Sequence, residues 1–357
     1  MKQFQVSPPR LISWEVTQAC NLRCAHCRAS AEDEIDPLAF DTERALEVID
    51  QILEVGKPLL ILTGGEPLMR PDIFDLAAYA SEKGLPLAMG TNGTLITPNI
   101  AKRMKEVFIS RLSISIDFPT AEMQDRFRGL DGAFNDALNG IRNARHAGID
   151  VQINCTITKM NLPYLDDIVS LAIKEGAMAF HPFLLVPTGR GKELKNVNPS
   201  INECERVFRW IHKKSAEMGD RILFKPTCAP FYQRIILQSI RKPPPLQGEV
   251  DMECSGFLRQ GCLAGTGFCF ISHTGQVQGC GYLDLEAGNI NNQRFTNIWQ
   301  SSYLFTHIRN LAELKGKCGV CQYRNLCGGC RARAYETTGD YLESEPLCIY
   351  RPPATRK

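Results

Sequence analysis

From Leu11 to about residue 225, short apolar runs alternate with longer stretches in which apolar side chains recur every three or four positions. The first pattern fits buried strands and the second fits amphipathic helices. Leu11–Thr17 reads as a strand and Thr42–Val55 as a helix capped by Asp41 or Thr42. The alternation continues with strand Pro58–Thr63 and helix Pro71–Lys83, then strand Pro86–Thr91 and helix Pro98–Val107. Strand Arg111–Asp117, helix Ala133–Ala147, strand Asp150–Ile157 and helix Leu162–Glu175 follow. Strand Met178–Val186 and helix Ile201–Met218 close the series. Gly84, Gly148 and Gly176 fall where helix ends need a left-handed residue.

Six strand–helix units in succession imply a parallel sheet with right-handed crossovers. Six is short of the eight that close a barrel, so the expected fold is α/β: a partial (β/α)6, TIM-like barrel or an open sheet. In either architecture ligands bind at the carboxyl ends of the strands.

Beyond residue 225 the rhythm stops. Lys242–Gly248 (KPPPLQG) reads as a linker or rigid turn. From Ser255 onward the chain is rich in Gly and Cys, without an evident amphipathic core, so metal ligation is expected to supply its stability. The expected units are a barrel over 1–225, a bridging segment over 226–254, a small Cys-rich unit over 255–350 and a frayed tail over 351–357.

Composition narrows the class. Forty-one basic and 39 acidic residues give a net charge of +2, which argues against a general nucleic-acid binder. No stretch approaches the roughly 20 apolar residues that span a bilayer. The first 20 residues lack the apolar core and cleavage site of a secretory signal, so a cytoplasmic protein is expected.

Fifteen cysteines in a reducing compartment point to metal binding or catalysis rather than to disulfides. They gather in two places: Cys20, Cys24 and Cys27, and a group from Cys254 to Cys348. Cys155, Cys204, Cys228 and Cys254 read as core or incidental thiols, with Cys228 set apart because it follows the last strand and faces the expected cavity.

Cys20-x3-Cys24-x2-Cys27 directly follows the first strand. Thiolates are soft ligands suited to iron–sulfur clusters or zinc. A four-iron cluster held by three cysteines keeps one iron open to a small molecule. The alternative is a structural zinc with His26 as fourth ligand, a strained arrangement because His26 lies between two of the cysteines.

With Gly64-Gly65-Glu66-Pro67 after the second strand, this run resembles the radical S-adenosylmethionine (SAM) superfamily. The resemblance implies that Cys20, Cys24 and Cys27 hold a 4Fe–4S cluster whose open iron is chelated by SAM. It implies that Gly64 and Gly65 let the backbone approach the SAM amino group, while Glu66 shapes the turn. Ser115 and Asp117 end the fourth strand, where the superfamily places polar contacts to SAM, and Arg128 resembles the arginine that pairs with the SAM carboxylate. Asn92 and Asn154 lie at neighbouring strand ends and join this candidate set. For each of these polar residues ordinary capping or turn chemistry is the competing reading.

The second group reads Cys262, Gly275-x4-Cys280, Cys318-x2-Cys321-x5-Cys327-x2-Cys330 and Cys348. The five-residue gap is too short for a zinc ribbon, where roughly 15–20 residues separate the pairs. The arrangement resembles the SPASM extension of radical SAM enzymes, which implies one or two auxiliary 4Fe–4S clusters. By that resemblance Cys262, Cys280 and Cys330 serve one cluster, with Cys269 the candidate fourth ligand, and Cys318, Cys321, Cys327 and Cys348 serve the other. The last spacing is x2 where the family commonly shows x3.

Further motifs, Phe183–Gly191 (FLLVPTGRG), Lys225–Pro230 (KPTCAP) and Gly265–Cys269 (GTGFC), resemble the AhbD-type haem synthases of the sirohaem-dependent haem pathway. That resemblance implies oxidative decarboxylation of two propionates of iron-coproporphyrin III to vinyl groups, giving protohaem. It also implies oxygen sensitivity and an electron donor such as ferredoxin or flavodoxin. A flat macrocycle with four carboxylates needs apolar walls and a few cations. Arg190, Lys192, Lys225 and Arg234 are the candidate cations, Phe183, Phe231 and Tyr232 the candidate walls, and His181, His273 and Tyr232 the candidate axial ligands. The rival readings are a SPASM peptide or protein maturase and a related tetrapyrrole side-chain deacetylase. The first expected strand at Leu11 leaves little room for the N-terminal peptide-recognition module that many maturases carry. A non-catalytic electron carrier is a third reading, against which the SAM-type turn at Gly64–Pro67 stands.

Overall fold

The structure, a computed structural model, describes residues 6–240 and 261–353. The expected linker at 242–248, Cys254 and residues 354–357 lie outside the described residues.

The alternating half of the chain builds β1 (Leu11–Thr17), α1 (Thr42–Val55), β2 (Leu59–Gly64), α2 (Ile73–Glu82), β3 (Leu87–Thr91), α3 (Pro98–Glu106) and β4 (Ile109–Ser115). It continues with α4 (Ala121–Arg128), α5 (Ala133–His146), β5 (Asp150–Ile157), α6 (Leu165–Lys174), β6 (Ala179–Leu184), α7 (Ile201–Met218), β7 (Leu223–Phe224) and α8 (Tyr232–Ser239). Strands β1 to β7 pair in chain order, each parallel to the next. The expected helix caps are present: the Asp41 carboxylate accepts from the Arg44 amide at 2.9 Å, and Gly84, Gly148 and Gly176 have φ of +82°, +73° and +70°. Three elements were not expected. Helix α4 carries few apolar residues, β7 is only two residues long, and α8 lies in the expected bridging segment.

The strands alternate between two faces. Ile12, Trp14, Leu60, Leu62, Leu112, Ile114 and Ile153 are buried in the main hydrophobic core with the helices. Polar residues occupy the other face, where register pairs Ser115 with Asn154 and Asn154 with His181.

The C-terminal half departs from expectation. It supplies β8 (Phe268–Ile271), β9 (Gln276–Gln278), β10 (Glu286–Asn289), α9 (Phe295–Ser301), α10 (Tyr303–Arg309), α11 (Gly316–Gly319), α12 (Arg324–Cys327) and α13 (Arg331–Thr338). Strand β8 pairs parallel with β1, from Leu11 opposite Phe268 to Trp14 opposite Ile271, and extends the sheet to ten strands. Ile271, Val277, Phe295, Trp299 and Phe305 are buried in the same core as Ile12 and Trp14. This region therefore does have an apolar core, shared with the barrel across the strand β1 edge.

Candidate functional site

Cys20, Cys24 and Cys27 sit in the loop that leaves β1 at its carboxyl end. Two anchors hold the loop. The Cys20 amide donates to the Glu32 carbonyl at 2.7 Å, and the Arg23 and Ala25 amides donate to the Arg128 and Phe127 carbonyls at the end of α4. The Leu22 and Ala31 amides point at the Cys20 and Cys27 sulfurs, each at 3.4 Å. The three thiols lie within electrostatic reach of one another. Burial pushes the Cys20 thiol up to about 12 and raises that of Cys24, which the Arg128 guanidinium partly offsets. Three thiolates here need more positive charge than one arginine, and an iron–sulfur core would provide it.

The zinc alternative fails on geometry. His26 stacks on Phe127 at 4.6 Å and 8°, with Nε2 4.0 Å from Asp117. Its burial pulls the imidazole down to about 4, so the ring is neutral. Among the described residues, no three His, Cys, Asp or Glu side chains converge on a single-ion site.

Gly64 and Gly65 are glycines because the chain around Cys20 runs against them. A Cβ on Gly64 would lie 2.3 Å from the Thr17 carbonyl oxygen, and one on Gly65 would lie 2.3 Å from those of Gln18 and Ala19. The Gly65 and Glu66 amides donate to Thr17 and Ala19. In this structure the close approach is thus to the Cys loop's own root. Glu66 is fully buried and accepts from the Thr91 hydroxyl at 2.8 Å, the Asn92 amide at 2.7 Å and the Leu68 amide at 3.2 Å. Burial lifts its carboxyl to about 7 despite those donors. The Asn92 side chain reaches Asn21 at 2.8 Å and points its amide nitrogen at the Cys20 sulfur from 3.9 Å.

Asp117 lies two residues beyond β4 and is fully buried. It takes the Thr156 amide at 2.6 Å and pairs with Arg128, which also faces the Cys24 sulfur at 3.7 Å. Asp117 is therefore placed to position Arg128, whose Nε atom is buried without a hydrogen-bond partner. Ser115 and Asn154 are half-buried register partners at the adjacent strand ends, where the Ser115 carbonyl accepts from Gln124.

Several expected substrate contacts have other work. Arg190 closes over the Cys loop: its amide donates to the Cys27 carbonyl at 3.0 Å and its guanidinium to those of Cys24 at 3.0 Å and Ala31 at 2.8 Å. Gly189, at φ +51°, has no room for a Cβ against Cys27 and Arg28. Arg234 is buried and paired with Glu205. Phe231 and Tyr232 pack edgewise or tilted on Phe208 in the core. His273 is fixed between Glu15 at 2.8 Å and Asp36 at 2.9 Å, which raises its pKa and removes it as an axial ligand. Of the expected ligands to a substrate iron, His181 alone remains on the polar sheet face, with Nδ1 3.2 Å from Gln152.

Sequence reasoning missed Arg28 and Tyr282. Arg28 pairs with Glu15, lies over the Phe270 ring at 4.6 Å and donates to the Gly281 carbonyl at 3.3 Å. Tyr282 is within electrostatic reach of Cys27 on one side and of Cys228 and Cys280 on the other. These two side chains stand between the first cysteine group and the second. Nothing in their sequence context marked them.

Cys318, Cys321, Cys327 and Cys348 line one cavity together with Arg234, Lys317, Gly328 and Gly329. The Gly329 and Glu345 amides point at the Cys327 and Cys318 sulfurs at 3.4 and 3.3 Å. Four thiols, two cations and two N–H donors fit an anionic iron–sulfur cluster. Cys262, Cys280 and Cys330 form a second neighbourhood. Cys269 does not join it. Paired with Ile12 in register, it is fully buried, and Arg309 is the charged group that its thiol feels.

Comparison with known proteins identifies the two cysteine-bearing regions by family. The model of the radical SAM superfamily matches residues 14–172, and that of the SPASM iron–sulfur cluster-binding domain matches residues 262–331. An AdoMet-dependent heme synthase of Methanosarcina barkeri is 47% identical over 96% of this chain and 97% of its own length. One from Nitratidesulfovibrio vulgaris is 49% identical over 96% and 93%. Among solved structures, Streptococcus suis SuiB bound to S-adenosylmethionine superposes with a TM-score of 0.75 at 16% identity, covering 98% of this chain and 78% of SuiB.

Proposed function

This chain belongs to the radical SAM superfamily and carries its SPASM iron–sulfur domain, and from that premise we propose that it converts two propionates of iron-coproporphyrin III to vinyl groups, giving protohaem. The identity to heme synthases along nearly the whole of both chains is the observation that most supports the reading. Each conversion removes a hydrogen atom, carbon dioxide and one electron from the propionate, so a one-electron acceptor is required. Reductant for the first site would come from a low-potential carrier such as ferredoxin or flavodoxin.

Cys20, Cys24 and Cys27 would hold a 4Fe–4S cluster, which would supply the electron for cleavage of SAM to methionine and a 5′-deoxyadenosyl radical. The chain's own residues hold that site still. Arg190 and the Phe127–Arg128 carbonyls clamp the Cys loop, while Glu66 fixes the turn against it. Gly64, Gly65, Asn92, Ser115, Asp117, Arg128 and Asn154 surround the loop or the strand ends beside it, where SAM would be oriented; Asp117 acts through Arg128. Lys192 and Lys225 are the remaining candidate partners for propionates, and His181, on the polar face of the sheet, is the candidate for the substrate iron. No helix among the described residues is long and apolar enough to cross a membrane.

The test is anaerobic. Reconstituted protein, SAM and dithionite are mixed with iron-coproporphyrin III, and the porphyrin is followed by mass spectrometry. Stepwise conversion of two propionates to vinyls, with 5′-deoxyadenosine formed alongside, is expected. 5′-Deoxyadenosine without any change in the porphyrin would remove the substrate assignment and turn attention to peptide substrates.

A further inference from the structure

Among the described residues, the first auxiliary set lacks a fourth thiol once Cys269 is placed in the core. We propose that Cys228 is that ligand, so that Cys228, Cys262, Cys280 and Cys330 together hold one 4Fe–4S cluster at the junction of the barrel and the C-terminal region.

The backbone brings Cys228 there. Thr227 bridges to β6, its amide donating to the Pro182 carbonyl at 2.9 Å and its carbonyl accepting from Leu184 at 3.1 Å. Cys228 therefore leaves the sheet at the carboxyl end of the last strands. All six pairs among the four thiols lie within electrostatic reach. Cys269, by contrast, has none of these thiols among the groups that perturb it.

Cys228 is also one of three non-glycine residues among those described with a positive φ, at +56°. A side chain in that region costs roughly 1–2 kcal/mol, and such strain persists only where the surroundings enforce it. Here Arg333 enforces it. One guanidinium nitrogen donates to the Cys228 carbonyl at 2.8 Å and the other to Glu345, whose carboxylate receives the Cys330 amide at 2.9 Å. A single buried arginine thus fixes the Cys228 loop and, through Glu345, the Cys330 backbone. Cys262 is pinned from the other side, its amide on the Cys327 carbonyl at 3.2 Å and the preceding Gly261 too close to Cys327 to carry a Cβ.

Ligation forms one Fe–S bond to Cys228 and releases the thiol proton to solvent. Four protein thiolates leave no iron of this cluster open, so the cluster serves electron transfer and does not bind substrate. The proposal rests on the SPASM assignment and is independent of the porphyrin reading.

The experiment uses anaerobically reconstituted full-length protein with Cys228→Ala, Cys228→Ser, Cys269→Ala and Cys254→Ala variants. Iron, acid-labile sulfide and the EPR spectrum of the reduced protein are measured with and without SAM, which separates the first cluster's signal from the others. Cys228→Ala is expected to lose about one third of the iron, one cluster of three, while the SAM-sensitive signal is retained. Cys269→Ala should match the parent. If Cys228→Ala does not fold, folded Cys228→Ser should shift the g-values of one auxiliary signal. Parent-like iron content and spectra in the Ala variant, or unshifted g-values in the Ser variant, overturn the proposal. Loss of the same signal in Cys254→Ala with Cys228→Ala unchanged overturns it too.

Discussion

Arg333 donates to the Glu345 carboxylate at 2.9 Å with the two side chains only 2% and 1% exposed. The pair joins both auxiliary sites, because the Glu345 amide faces the Cys318 sulfur while its carboxylate takes the Cys330 amide. A buried charge left without its partner costs about 3–5 kcal/mol, whereas replacing both partners by apolar side chains costs much less. Glu345→Leu should therefore lower the urea-unfolding free energy of the cluster-free protein by about that amount, and adding Arg333→Met should recover part of it. A double variant as unstable as the sum of the two single changes would show that the pair is not coupled.

Glu66 makes a pH prediction. Its folded pKa, about 7, lies above the ordinary 4.5, so the folded state binds the extra proton. That contribution is full below pH 4.5 and is lost as pH rises through 7, by about 3 kcal/mol. Cluster-free wild type, compared with Glu66→Gln, should lose this advantage between pH 4.5 and 7. A constant wild-type-to-variant difference across the window would mean that Glu66 stays ionised in the folded protein.

Gly65→Ala should disturb the first site through the backbone. The new Cβ would meet the Gln18 and Ala19 carbonyls at 2.3 Å, so the root of the Cys loop must move. A loss of about 1–3 kcal/mol in stability is expected, with poorer iron retention at the first site. Gly132→Ala is the control: its φ of +87° brings strain, but nothing lies within 4 Å of the added atom. It should leave iron binding unchanged. Equal iron loss in both would assign the effect to strain alone.

Arg190 separates clamping from substrate binding. Arg190→Ala removes the guanidinium bonds to Cys24 and Ala31, so a chelator should strip iron from the first site several-fold faster. Were Arg190 a propionate ligand instead, chelation would be unchanged and only the porphyrin KM would rise.

The barrel was legible because its strands are apolar runs bounded by Gly, Pro or polar residues. Leu11–Thr17, Thr42–Val55, Asp150–Ile157 and Ile201–Met218 have the bounds read from sequence. Helix α4 was missed because it buries only Gln124, Phe127 and Arg128, too few apolar positions for a periodic signal. Strand β8 is four residues long and embedded among glycines and cysteines, so its pairing with β1 had no local signature. The cysteine spacing located both groups, but it could not reveal which way a strand residue faces. On β8 alternate residues face opposite sides, and Cys269 shares the core side with Ile12 while Phe270 meets Arg28. Likewise, Arg190 and Arg234 were legible as cations near the site, but their partners, the Cys loop and Glu205, are remote in sequence.

The parallel pairing of β8 with β1 also sets an order of assembly. Strand β1 is made shortly before its neighbour β2, yet its other edge has no partner strand until Ile271 has been made. For most of synthesis the nascent chain therefore carries an open hydrogen-bonding edge beside the future Cys20–Cys27 loop. An unpaired edge invites association with other chains, and closing a loop of such length is slow. Metal insertion into that loop before β8 docks would take place on an unfinished sheet, which favours delivery after chain release.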